Sequence, residues 1–177
     1  MNESTDILLV EDDSNDVRLA MSVLNKIGLA ERCSAMGDGE EAIEFLRARG
    51  AHDDGSPPRL ILLDLKMPRM DGFEFLQQVR GDDSLAFVPV VVLTSSREQR
   101  DIERAYSLRA NGYVVKGINF TDYGRLLRSV AEYWIRVNVD ELRAGSKANH
   151  NATTRRLFEY ATDSCAAFGI WTPAYAF

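Results

Sequence analysis

Cysteine and histidine are scarce in this chain of 177 residues, which holds only Cys33, Cys165, His52 and His150. Two cysteines cannot build a disulfide framework, and no CxxC or Cys/His spacing offers a zinc site. A Ser-His-Asp triad would need one of two histidines in polar, loop-like sequence, where isolated His side chains are usually solvated. Basic charge is also short. Lys and Arg number 21 against 27 Asp and Glu, for a formal net charge of −6. Such a balance argues against a nucleic-acid binder, which normally carries a basic face. No apolar run approaches the ~20 residues that span a bilayer. The polar start, Met1 to Asp6, does not read as a signal peptide. The expected location is the cytoplasm, with neither nucleic acid nor membrane as partner.

The residues that are present describe a globular domain. Hydrophobic residues make up 45% of the chain and charged residues 27%, an ordinary balance for a packed core. Four short runs are nearly continuous in Val, Ile and Leu: Ile7 to Val10, Leu60 to Leu63, Val88 to Leu93, and Tyr113 to Val115. Strands read this way when a parallel sheet is covered on both faces. Arg32 to Ala35 is a weaker fifth candidate.

Between these runs the apolar spacing turns to three and four. Val17, Ala20, Met21, Leu24 and Ile27 form one stripe, closed by Gly28. Asp38-Gly39-Glu40-Glu41 has the spacing of a capping box and opens a second helix. A third is signalled around Phe73, Phe75, Leu76 and Val79. A fourth starts at Ser95 or Ser96. The fifth carries Phe120, Tyr123, Leu126, Leu127, Val130, Trp134 and Val137. Strand and helix thus alternate five times, the pattern of a doubly wound α/β sheet. His52 to Pro58 is a polar turn. The periodic pattern fails from about Gly145, so residues 1–143 are expected to form the domain and 144–177 an extension.

In such sheets ligands gather at the carboxyl ends of the strands. Here those ends deliver Glu11-Asp12-Asp13, Asp64, Thr94-Ser95 and Lys116 in turn. Two carboxylates ~4 Å apart repel by about 4 kcal/mol at an effective dielectric of 20. Three converging acids therefore call for a cation or a proton. Mg²⁺, a hard ion that takes oxygen ligands and engages phosphate, fits them. Asp64 alone follows a fully apolar strand and is the candidate nucleophile for phosphoryl transfer, with Glu11 and Asp12 as metal ligands. Lys116 and Thr94 are candidate partners of the phosphoryl oxygens. Each feature also has a plainer reading. The acidic triplet could cap the next helix, Asp64 could be a turn residue before Pro68, and Thr94 or Ser95 could be an N-cap with Glu98 completing a box.

Four segments carry a family resemblance: Ile7-Leu8-Leu9-Val10-Glu11-Asp12-Asp13, Leu62-Leu63-Asp64-Leu65-Lys66-Met67-Pro68-Arg69-Met70-Asp71-Gly72, Pro89-Val90-Val91-Val92-Leu93-Thr94-Ser95, and Gly112-Tyr113-Val114-Val115-Lys116. In order, spacing and strand context they resemble response-regulator receiver domains, over about residues 5–138. The resemblance implies a flavodoxin-like five-stranded parallel sheet of order 2-1-3-4-5 with five helices. It implies that Asp64 accepts a phosphoryl group from a phosphohistidine on a sensor histidine kinase. Mg²⁺ would be held by Glu11, Asp12, Asp64 and the backbone carbonyl of Lys66. Thr94 and Tyr113 would form the switch pair, and the domain would be a phosphoacceptor rather than an enzyme acting on other substrates. Ala110-Asn111-Gly112-Tyr113, the insertion at His52 to Pro58 and the Phe120 to Trp134 helix resemble the stand-alone regulators of bacterial phytochromes. That likeness implies a light-regulated kinase as donor and a homodimer through the last helices, with Tyr123, Leu127 and Trp134 at the interface.

The chain departs from the family pattern at Gly117, where proline usually follows the lysine. A cis bond to glycine costs about 2.5–4 kcal/mol, so the loop is expected to be trans or more mobile than in the family. The tail offers no basic recognition helix and no winged-helix output domain. Two other readings stand beside the switch. An aspartyl-phosphate phosphatase would need an acid two residues past its nucleophile, where this chain has Lys66. A degenerate receiver would bind partners without phosphorylation.

Overall fold

The computed structural model describes residues 5–50, 56–117 and 120–138. The extension expected over 144–177 lies outside the described residues, as does most of the His52 to Pro58 turn.

Five parallel strands form one sheet: β1 (Ile7–Val10), β2 (Cys33–Met36), β3 (Leu60–Leu63), β4 (Val90–Thr94) and β5 (Gly112–Val115), ordered β2-β1-β3-β4-β5. Five helices connect and follow them: α1 (Ser14–Lys26), α2 (Gly39–Gly50), α3 (Gly72–Gly81), α4 (Gln99–Ser107) and α5 (Phe120–Glu132). This is the expected flavodoxin-like order. The three central strands are buried at every residue, which explains their unbroken apolar runs. Along β1, Leu8 and Val10 enter a core layer with α2, α3 and α4. Ile7 and Leu9 enter the opposite layer with α1 and α5. A period of two along each strand thus feeds both cores. The edge strand β2 is only partly buried throughout, and its sequence signal is correspondingly weak.

Element boundaries follow local chemistry. Asp13 caps α1, its Oδ1 accepting N–H bonds from Asn15 at 2.7 Å and Asp16 at 3.2 Å. Gly28 ends the α1 turn at φ 70°, a conformation that glycine adopts without strain. At α2, Asp38 accepts the Glu41 N–H at 3.0 Å, while Glu41 reaches back to the N–H of Gly37 rather than to that of its cap. A full capping box opens α3 instead, between Asp71 and Glu74.

Three sequence-based expectations need correction. Strand β4 begins at Val90, not Val88, because Val88 lies in the preceding turn and Pro89 has no N–H for the ladder. Helix α4 begins at Gln99, with Glu98 in the cap position and no side-chain cap bond. Ser96 does not start it, because its hydroxyl is bound to Asp101 at 2.5 Å and its backbone belongs to the preceding loop. The stripe on α5 faces inward: Tyr123 is 3% exposed and Leu127 0%. Both fill the chain's own core, so neither is available to a partner chain. Trp134 lies in a π-helical turn, Tyr133–Val137, that continues α5. It is half-buried and packs against the same core.

Candidate functional site

Strand register assembles the site. Val10 pairs with Leu63 across β1 and β3, so the residues that follow, Glu11 and Asp64, emerge side by side. Leu63 pairs with Val92, and Thr94 with Val115, which brings the ends of β4 and β5 to the same edge. Strand order reverses at β1, with β2 on one side and β3 on the other. The crevice beside that reversal is where open α/β sheets bind ligands.

Glu11, Asp12 and Asp64 each offer a carboxylate oxygen within 4.8 Å of the others. Glu11 and Asp64 are buried at 3% and 6% exposure, whereas Asp12 faces solvent. Lys116 enters from β5. Its Nζ donates to Glu11 Oε2 at 2.6 Å and Asp16 Oδ2 at 2.7 Å, and stands 3.4 Å from Asp64 Oδ1. The other Asp64 oxygen, Oδ2, accepts the Lys66 N–H at 2.9 Å. Behind Asp64 the backbone is crowded. A Cβ at Gly72 would lie 2.2 Å from the Asp64 carbonyl oxygen, so only glycine lets α3 approach this closely.

The electrostatics are unbalanced. Burial pushes the Glu11 carboxyl up to about 7, against the pull of Lys116 and with a further push from Asp64. Burial disfavours the Lys116 charge, but hydrogen bonds to Asp16 and Glu11 and the charge of Asp64 outweigh it and hold the ammonium above its ordinary range. The single lysine does not neutralise four nearby acids. Three convergent oxygen donors with surplus negative charge suit a hard divalent cation, so the residues present fit Mg²⁺.

Thr94 is 0% exposed, and its Oγ1 accepts the Ser96 N–H at 3.3 Å. The half-buried Tyr113 donates its hydroxyl to the Ser96 carbonyl at 3.2 Å. Burial first, and then the charges of Asp101 and Asp64, push that hydroxyl above its ordinary range. Ser96 therefore touches both expected switch residues and, through Asp101, the first turn of α4. No cis peptide occurs among the described residues, so Lys116 meets Gly117 over a trans bond.

Of the strand-end residues singled out in the sequence, Glu11, Asp12, Asp64 and Lys116 meet here, Thr94 is buried at the end of β4, and Ser95 faces solvent. The acidic triplet divides its work: Glu11 and Asp12 turn to the pocket, and Asp13 caps the helix. The plainer capping reading thus holds for Asp13. Asp16 was not anticipated. It belongs to no motif, but it lies on the first turn of α1, beside the pocket that the triplet enters. Tyr123 is expected from the sequence at a dimer interface and is buried instead. Its buried hydroxyl has no hydrogen-bond partner among the described residues and feels the charges of Lys116, Glu11, Asp16 and Asp64.

Comparison with known proteins agrees with this fold. Residues 7–128 match the family model for the response regulator receiver domain. The probable methanogenesis regulatory protein FilR2 of Methanothrix harundinacea is 40% identical over 131 residues, which are 73% of this chain and 83% of FilR2. Response regulator Rcp1 of Synechocystis sp. is 36% identical over 129 residues, 73% of this chain and 88% of Rcp1. Its Mn²⁺-bound crystal structure superposes with a TM-score of 0.68 at 34% identity, covering 75% of this chain and 96% of that one. The phosphorylated cyanobacterial phytochrome response regulator RcpA superposes with a TM-score of 0.70 at 34% identity, covering 77% of this chain and 97% of that one.

Proposed function

Because the chain belongs to the response regulator receiver family, we propose that it is a phosphorylation switch whose acceptor is Asp64. The observation that carries this reading is the cluster itself: three carboxylates within 4.8 Å, with Lys116 Nζ 3.4 Å from Asp64. The donor is the phosphohistidine of a sensor histidine kinase. The likeness to RcpA, named for a phytochrome, favours a phytochrome-type kinase.

The chemistry follows from the side chains. An Asp64 carboxylate oxygen attacks the phosphorus, the P–N bond breaks, and its electron pair stays on the imidazole nitrogen of the donor. Glu11, Asp12 and Asp64, with the Lys66 carbonyl, would hold Mg²⁺, which when bound would neutralise charge on the phosphoryl oxygens. Lys116 supplies a fixed positive charge at the same oxygens, at little reorganisation cost. The Thr94 hydroxyl proton donates to a phosphoryl oxygen. As Thr94 turns, Ser96 N–H loses its acceptor, and the Tyr113 contact on the same residue is disturbed. The surface of α4, β5 and α5 then changes its partners. The chain assists its own phosphorylation and the later hydrolysis of the anhydride, and it works on no other substrate. No helix among the described residues is long and apolar enough to cross a membrane, in keeping with a site of action in the cytoplasm. A homodimer would use the π-helical turn that follows α5, where Val137 is 40% exposed.

The test is labelling with acetyl phosphate and MgCl₂, or with a phytochrome-type kinase and ATP. The chain takes up a hydroxylamine-labile phosphoryl group, and Asp64→Asn abolishes it. Labelling that persists in Asp64→Asn would falsify the assignment. Sedimentation at several concentrations tests the dimer, which a concentration-independent monomer removes.

A further inference from the structure

Lys116 has three ammonium protons to donate, and the structure sets three carboxylates around them, of which Glu11 and Asp16 accept hydrogen bonds. Glu11 follows β1, Asp64 follows β3, and Asp16 stands on α1. The first turn of α1 is itself fixed, because Asp13 accepts the backbone N–H of Asp16. The three contacts are not equal. Those to Glu11 and Asp16, at 2.6 and 2.7 Å, are as short as charge-assisted bonds, whereas Asp64 Oδ1 stays at 3.4 Å. Something holds the ammonium off the nucleophile.

We propose that Asp16 is a positioning residue for Lys116, tethering its Nζ from the α1 side so that it does not close onto Asp64. This rests on the reading of Asp64 as phosphoacceptor. Of the two short acceptors, Glu11 is also a candidate metal ligand, whereas Asp16 is not among the convergent metal donors. Asp16 is therefore the partner that can keep its hold while the pocket is occupied. With the tether in place, an oxygen of Asp64 stays open for attack, and the phosphoryl oxygens meet an ammonium already at the correct distance. The tether also suits a chain in which Gly117, rather than a ring-constrained proline, follows the lysine.

Removing the carboxylate lets Nζ settle onto Asp64. The contact shortens from 3.4 Å to about 2.8 Å. A misplacement of about 1 Å costs up to about a hundredfold in rate, so about half that distance costs about tenfold. Asp16→Ala and the nearly isosteric Asp16→Asn are compared with the full-length wild-type chain, each shown to be folded by circular dichroism. Labelling by acetyl phosphate falls about tenfold in both, and Asp16→Glu restores part of it. Mg²⁺ affinity changes far less. Independently of activity, the side-chain ammonium signal of Lys116 in ¹⁵N NMR shifts or broadens in the variants, even without donor or metal. An unmoved ammonium signal, or labelling within twofold of wild type in both variants, overturns the proposal. If the wild-type chain takes up no phosphoryl group at all, the phosphoacceptor reading fails, while the ammonium signal still decides whether Asp16 tethers the lysine.

Discussion

Gly72→Ala places one methyl group directly behind the proposed phosphoacceptor. The new Cβ would lie 2.2 Å from the Asp64 carbonyl oxygen and 2.8 Å from the Leu65 Cα. Both obstacles are backbone, so no rotamer change relieves the clash. The start of α3 and the end of β3 must part by about 1 Å to restore ordinary contact. Overpacking of this kind costs about 1–3 kcal/mol. Alanine's advantage over glycine in a helix, up to about 1 kcal/mol, offsets part of that. The net expectation is a loss of about 1–2 kcal/mol, read as a lower urea midpoint at unchanged slope. The loss of function should be larger than the loss of stability suggests. Asp64 moves by about 1 Å relative to Lys116 and the metal carboxylates, enough to slow phosphoryl uptake by up to about a hundredfold. Acetyl phosphate labelling in urea-free buffer, where the variant remains folded, measures this directly. An unchanged urea midpoint together with labelling within twofold of wild type would refute the reasoning, because the close approach would then impose no constraint.

Lys116→Met removes a positive charge held 2.6 Å from Glu11 and 3.4 Å from Asp64. Mg²⁺ affinity by calorimetry rises, while phosphoryl uptake falls about a hundredfold, the usual scale for losing one preorganised partner of a developing charge; a drop in Mg²⁺ affinity would show that the lysine does not compete with the metal. Thr94→Val keeps the shape but leaves the buried Ser96 N–H without its acceptor, so stability falls by about 1–2 kcal/mol, measured as a urea midpoint. Burial pushes the Cys33 thiol from an ordinary 9 up to about 12. Its thiolate fraction at pH 8 is thus about a thousandfold below that of an exposed cysteine. Peptide mapping after iodoacetamide should find the partly buried Cys33 alkylated far more slowly than an exposed thiol, and equally rapid modification at pH 8 would contradict the upward push on its thiol.

The sequence by itself determined the sheet, its two covered faces and the acids at the strand ends. Continuous Val, Ile and Leu runs admit few arrangements other than a parallel sheet buried on both sides, and a residue that follows such a strand has its position set by the strand. Asp64, Glu11, Asp12, Thr94 and Lys116 were legible for that reason. The resemblance supplied their roles, and the register supplied their meeting. What the sequence could not show depends on which face of a helix turns inward and which acceptor a flexible side chain chooses. The stripe through Tyr123 and Leu127 reads equally well as a core face or as an interface, because an apolar period of three to four is the same in both; only packing against α1 and the sheet made it core. Ser95, Ser96 and Glu98 have the spacing of a cap, yet the Ser96 hydroxyl went to Asp101 and α4 started later. Asp16 carried no signal, since its importance lies in a 2.7 Å contact with a lysine 100 residues away. Spacing along the chain fixes what neighbouring residues can do, but the balance of three carboxylates around one ammonium exists only once the strands have brought them together.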